Sequence, residues 1–195
     1  MNNLDIRTGT GQESILSVNK VIRNTYTLLS MTLFFSALCA LATMAMQLGG
    51  GTSMLMLIGG FIMTFVVRAT ANSAKGLVSV FVFAGLMGGS LGPVISMYLA
   101  AYVNGSAIVS QALGGTALIF LSLSGYALTT RKNFNFLGGF LFTGMMVMLV
   151  AIIANLFLQI PALSLAISGA VILLMSGFIL FDTSRIINGG ETNYI

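Results

Sequence analysis

Long apolar runs interrupted by a few polar clusters fill this chain, and the runs are too long for single helices. Charged residues stand only at Asp5, Arg7, Glu13, Lys20, Arg23, Arg68, Lys75, Arg131, Lys132, Asp182, Arg185 and Glu191. They leave three long charge-free blocks: 44 residues from Asn24 to Val67, 55 from Gly76 to Thr130, and 49 from Asn133 to Phe181. A spanning helix takes about 20 apolar residues, so each block holds two helices and a turn. Turn chemistry falls near each midpoint, at Gln47 to Ser53 (QLGGGTS), Asn104 to Ser106 (NGS) and Gln159 to Pro161 (QIP). The pattern predicts an all-α, polytopic transmembrane helix bundle. Its six helices lie near 24–47, 53–72, 76–102, 106–129, 136–159 and 161–184, paired as three hairpins.

The positions of the charges also orient the bundle. All eight Lys and Arg residues lie in the amino-terminal segment, in the connections near 68–75 and 130–133, or after the apolar part of helix six. The positive-inside rule places these segments, and both ends of the six-helix chain, in the cytoplasm. The hairpin turns carry no charge and face the other side. Residues 1–19 are polar and contain Gly9 and Gly11, which fits a mobile cytoplasmic tail, and residues 20–195 form the membrane domain. There is no Trp, so Tyr26, Tyr98, Tyr102 and Tyr126, all near predicted helix ends, supply the interfacial aromatics.

Composition narrows the chemistry. Hydrophobic residues make up 57% of the chain and charged residues 6%, far below the quarter that a soluble domain carries. With no His, the usual general base and commonest metal ligand are missing, and Cys39 alone cannot form an internal disulfide. No His-based dyad and no cluster of metal ligands is present, so an enzyme is not expected and no cofactor is implied. The net charge of +4 comes from scattered residues rather than a basic stripe, which argues against nucleic acid. The partner that composition does imply is the lipid bilayer.

Several positions can carry a specific role. Gly85, Gly88, Gly89 and Gly92 precede Pro93 on helix three and give two G-x-x-x-G spacings, a pattern that lets a second helix approach closely. Pro93 has no amide hydrogen and its ring crowds the carbonyl of Gly89, so a kink and a carbonyl in need of a partner are expected there. Two readings fit: a packing face with a static bend, or a gating hinge with a carbonyl turned to a cation. Ala162, Ala166 and Ala170 with Ser164 and Ser168 make a second small-residue face on helix six, expected to pack. Asn155, Gln159 and Gln111 are expected to hydrogen-bond between helices.

Asp182 is the one acidic residue at the end of an apolar run, about 30 Å along helix six from Pro161 and so near the cytoplasmic interface. Partial burial and a nearby arginine would pull its protonation in opposite directions. Arg185 follows three residues later on the same helical face, and Arg68 ends helix two at a similar depth. Asp182 therefore reads either as a residue reaching the headgroups or as half of an ion pair or latch with Arg68 or Arg185. It is also the only side chain offered as a metal candidate. Glu191 lies beyond Gly189-Gly190, which should end the helix, so a catalytic carboxylate pair is not expected.

A set of motifs ties these features to a known family. Arg23-Asn24-Thr25-Tyr26, Leu91-Gly92-Pro93, Ala112-Leu113-Gly114-Gly115-Thr116-Ala117-Leu118, Leu128-Thr129-Thr130-Arg131-Lys132, Phe136-Leu137-Gly138-Gly139 and Gly189 to Ile195 (GGETNYI) resemble the Bax inhibitor-1 (TMBIM) family, in its bacterial YccA-like branch. The resemblance implies a bundle usually of seven helices, and this sequence ends at Ile195, where the seventh would begin. It implies an integral inner-membrane protein that modulates the membrane-bound protease FtsH and membrane-protein quality control. A pH-sensitive calcium leak is the alternative, with calcium as the permeant ion. It also implies that Asp182 corresponds to the family's acidic pH-sensing residue on helix six and Arg68 to the basic residue of its latch. The second acid, on helix seven, has no counterpart in this chain.

Overall fold

The computed structural model describes the backbone of residues 3–188 and the side chains from Lys20 to Asn188; the helix stop expected at Gly189-Gly190, and Glu191, lie outside the described residues. Six helices follow one another: α1 (Asn3–Ala45), α2 (Gly50–Thr70), α3 (Ala74–Ala101), α4 (Gly105–Thr130), α5 (Leu137–Leu158) and α6 (Pro161–Asn188). Each contains a stretch of 21 to 28 residues long and apolar enough to cross a membrane. At 1.5 Å per residue these reach about 30 Å or more, the thickness of the hydrocarbon layer.

The expected helices are present, with shifted edges. The largest difference is at α1, which starts at Asn3 rather than near residue 24, so the segment expected to form a mobile tail is helical; the membrane-length part begins at Lys20. Extending an existing helix needs no new nucleus, which is how a polar segment with two glycines can continue the rod. Two turns are shifted toward the amino terminus: α2 already begins at Gly50 and α4 at Gly105. Gln47, Arg131 and Gln159 follow α1, α4 and α5 with φ near +50°, the left-handed region that ends helices and favours glycine. At the end of α1, Leu48 N–H reaches the carbonyl of Thr43 at 3.2 Å, closing the turn and satisfying a carbonyl that the helix leaves open. Pro161 opens α6, where its missing N–H deprives the helix of nothing.

The chain forms two compact units that divide within α4, after Leu113. In the first, α3 is the shared element and packs against both α1 and α2. Its buried residues are Gly76, Ser79, Ala84, Gly88, Gly89, Ser90, Gly92 and Pro93, all small or cyclic. Large apolar side chains point outward instead, Phe34 and Phe65 being 68% and 63% exposed. Lipid is as apolar as leucine, so helices in a bilayer gain by close approach and hydrogen bonding rather than by hiding large hydrocarbons. In the second unit α5 packs on α6. There Leu141 is buried and lies where a Cβ on Gly177 would be, at 2.6 Å, while Leu174 fills the space over Gly144 at the same distance. Of the small-residue face expected to pack, Ala162, Ala166 and Ser168 are exposed and Ala170 is half-buried, while Ser164 meets Asn155 of α5; the leucine-over-glycine contacts carry the rest of the α5–α6 seam.

Candidate functional site

Two clusters of polar groups stand out, one in each unit. The first surrounds Pro93. A helical Gly89 carbonyl would take the N–H of residue 93, which proline lacks. Thr43 of α1 fills the vacancy: its hydroxyl donates to Gly89 O at 3.0 Å and also lies 2.9 Å from Ala40 O. From the other side Ser53 of α2 donates to the adjacent carbonyl, Ser90 O, and Ser90 donates to Met87 O at 2.7 Å. The segment before the proline is thus held by hydroxyls from both neighbouring helices, and helix α3 runs on through Pro93 to Ala101.

The glycines make this approach possible. A Cβ on Gly88 would strike the main-chain carbonyl of Ser36, and one on Gly92 would lie 2.5 Å from the carbonyl of Ala40 and collide with the Thr43 hydroxyl. Gly85 sits against the Phe35 ring, 2.9 Å from where its Cβ would be, with Cys39 Sγ at 3.4 Å; Gly89 faces Met56 of α2 at 3.0 Å. Gly85, Gly88 and Gly92 therefore form the α1 seam, opposite Ser36, Ala40 and Thr43, and Gly89 also meets α2. Cys39 is a half-buried packing residue here. Farther along, Thr70 donates to Ser79 at 3.0 Å and joins the ends of α2 and α3. Beside the turn between α1 and α2, an open apolar groove of about 610 Å³ runs between α2 and α3, lined by Leu48, Ser53, Leu57, Pro93 and Met97 among others.

The second cluster is at the end of α6. Ser184 is fully buried, accepts the N–H of Phe134 at 2.9 Å and donates to Lys132 O at 3.2 Å. Asn188, one turn on, reaches the same carbonyl at 3.4 Å and Ser184 Oγ at 3.3 Å. Together they clasp the connection between α4 and α5. Asp182 lies two residues before Ser184 and is exposed; Arg185 is the cation whose field acts on it, and the Arg185 guanidinium lies 5.8 Å from the Phe181 ring centroid. Arg68 is in the last turn of α2, exposed, and belongs to the first unit. Among the described residues no group of three or more His, Cys, Asp or Glu side chains converges.

Of the three amides expected to link helices, Asn155 does so: its Nδ2 donates to Ser164 Oγ at 2.6 Å and its Oδ1 accepts Ile160 N–H at 3.1 Å, fixing the α5–α6 turn. Gln159 takes the left-handed position in that turn, and Gln111 is exposed on α4. Thr43, Ser53, Ser184 and Asn188 were not singled out by sequence reasoning. The signal for the first two was the predicted orphan carbonyl, which required a hydroxyl on a neighbouring helix. For Ser184 and Asn188 it was a polar i, i+4 pair just after Asp182.

Six membrane-length helices, a glycine seam and carbonyls satisfied by hydroxyls within the bundle define a polytopic helical membrane protein rather than a soluble domain. The family described as "Inhibitor of apoptosis-promoting Bax1" matches residues 18–195, and the chain belongs to it. Among curated relatives, "Modulator of FtsH protease YccA" of Escherichia coli K12 is 50% identical over 182 residues, 93% of this chain and 82% of that protein. The "Inner membrane protein YccA" of a second E. coli strain, O6:H1, matches to the same extent. An "Uncharacterized membrane protein" of Vibrio cholerae is 49% identical over 184 residues, 94% of this chain and 82% of its own length. No solved structure matches the chain significantly.

Proposed function

We propose that this protein modulates an FtsH-type membrane-bound protease in a bacterial inner membrane, slowing the turnover of membrane-protein substrates. The observation that carries the reading is the half-identity, across nearly the whole chain, with a relative named as a modulator of FtsH protease; the direction and the substrate class belong to the proposal. The structure adds physical support of a general kind. A modulator needs a stable membrane body and elements beyond it that a partner can touch. The paired hydroxyl–carbonyl bonds around Pro93 stiffen the first, and α1 continues for 17 residues ahead of its membrane-length part at Lys20, which supplies one of the second.

The test is co-purification with FtsH from membranes and, in proteoliposomes, the degradation rate of a membrane substrate with and without this protein. Slower degradation at stoichiometric amounts is expected. Unchanged degradation, with the protein folded and inserted, overturns the proposal. Deleting residues 1–19 is expected to weaken both binding and the effect on turnover. Retention of both by the shortened protein would place recognition elsewhere on the chain.

A further inference from the structure

The connection between α4 and α5 joins two membrane helices, yet it is built as a fixed frame rather than a loose loop. Arg131 N–H closes α4 on Ala127 O at 2.9 Å, with its own φ at +50°. Lys132 O and Phe134 N–H are both held by buried Ser184, and Asn133 Oδ1 accepts Asn135 N–H at 2.9 Å. Phe134 O and Asn135 O then accept Leu137 and Gly138 N–H at 3.0 and 3.2 Å, which starts α5.

From this frame Arg131 and Lys132 project exposed. Phe136, 76% exposed, and Tyr126, 47% exposed, flank Phe134, whose ring centroid lies 6.5 and 6.2 Å from theirs. Asp182 is the one acidic side chain among the described residues, and Arg185 on its own helix is a cation that acts on it. The left-handed position at Arg131 suits glycine better than a side chain. A cation pair held in register between two membrane helices, beside exposed aromatics at the same boundary, matches the chemistry of an anionic headgroup: phosphate for the cations, and the glycerol and upper acyl region for the rings.

We propose that the α4–α5 connector is a preformed binding site for the phosphate of an anionic phospholipid, with Arg131 and Lys132 as its ligands and Ser184 as the residue that positions them. The inference does not depend on the protease reading, because the lipid is recognised by the chain itself.

Native mass spectrometry of the full chain in detergent, titrated with phosphatidylglycerol or phosphatidylcholine, tests it. Each cation near a membrane surface is worth about fivefold in binding, so Arg131→Gln with Lys132→Gln should lower phosphatidylglycerol affinity by more than tenfold and leave phosphatidylcholine unchanged. Exchanging Lys132 and Asn133 (K132N with N133K) keeps the net charge, moves one cation by a residue and removes the Asn133–Asn135 bond of the frame; a loss of at least about fivefold is expected. Arg131→Gly should weaken lipid binding while raising the thermal midpoint, separating recognition from folding. Ser184→Ala should weaken it severalfold with both cations retained, and if that variant fails to fold the charge exchange decides the matter.

No preference for phosphatidylglycerol, or full affinity after the charge exchange, overturns the proposal in favour of diffuse attraction. Inorganic phosphate competing as well as the lipid does would make this a free-phosphate site and overturn the lipid assignment.

Discussion

Thr43 on α1 donates its hydroxyl to the Gly89 carbonyl on α3 at 3.0 Å, replacing the donor that Pro93 removes. Position 93 thereby creates a need for a donor that position 43, fifty residues earlier on another helix, meets. Thr43→Val keeps the shape and deletes the donor, so the carbonyl is left without a partner away from water. The expected cost is about 1–2 kcal/mol, in the range of buried polar groups and interhelical bonds in membranes. Thr43→Ser should cost less. Pro93→Ala restores the helical donor, so Thr43→Val should cost less in that background. Unfolding free energies of the four proteins of this cycle, in one detergent, check the coupling; strict additivity would show that the bond carries no energy.

Gly88 and Gly92 face main-chain carbonyls of α1, which cannot rotate aside as a side chain can. Gly88→Ala and Gly92→Ala should each destabilise the first unit by about 1–3 kcal/mol, the usual cost of overpacking. Gly59 is the control in the same unit, because its Cβ would meet Leu86 at an ordinary 3.5 Å. Gly59→Ala should be neutral, or stabilising by up to about 1 kcal/mol through helix propensity. Thermal midpoints measured under one lipid and detergent condition distinguish the three.

Much of this architecture was legible because a bilayer leaves few alternatives. Twelve charges and three turn clusters divide the chain into six spans, since a charge inside hydrocarbon is costly and a turn there leaves backbone groups unpaired. The glycine run before Pro93 was legible for the same reason, as was the need for a partner at Gly89. What filled that need was not. Thr43 and Ser53 are ordinary hydroxyl residues in their own helices, and only the crossing of α1 and α2 over α3 gives them a role. The small-residue face of helix six was legible only in part, with Ser164 meeting α5 and Ala162 and Ala166 left exposed, because small residues permit close approach without requiring it. In the second unit the α5–α6 seam uses leucines over Gly144 and Gly177, a pairing set by where the helices touch and not by spacing along either one.

Asn155 holds the α5–α6 turn from both sides, through the Ser164 hydroxyl at 2.6 Å and the Ile160 N–H at 3.1 Å. Asn155→Leu removes both bonds and adds apolar bulk. A loss of about 1–2 kcal/mol is expected, with faster proteolysis at the turn. Gln159→Gly acts in the opposite direction: it removes a side chain from a left-handed position, φ 51°, and should raise stability by about 0.5–1 kcal/mol if the strain there exceeds glycine's entropic cost. Limited proteolysis and thermal unfolding of both variants give the two signs independently.

Asp182 and Arg185 are three residues apart on one helix with exposed side chains, the setting in which a helical ion pair is worth little. A double-mutant cycle of Asp182→Asn and Arg185→Gln should return a coupling of no more than about 0.5 kcal/mol. A pair this weak adds little to the fold, which leaves the acidic side chain available for a role in function. The proton-switched calcium leak implied by the family resemblance requires such a role, with Asp182 and Arg68 as a latch. It requires that Asp182→Asn and Arg68→Ala each change calcium flux into liposomes as pH is varied through neutrality. Identical flux from the wild-type protein and both variants would remove the leak as a function of this chain. A changed pH response in one variant alone would separate the acid from its supposed latch partner.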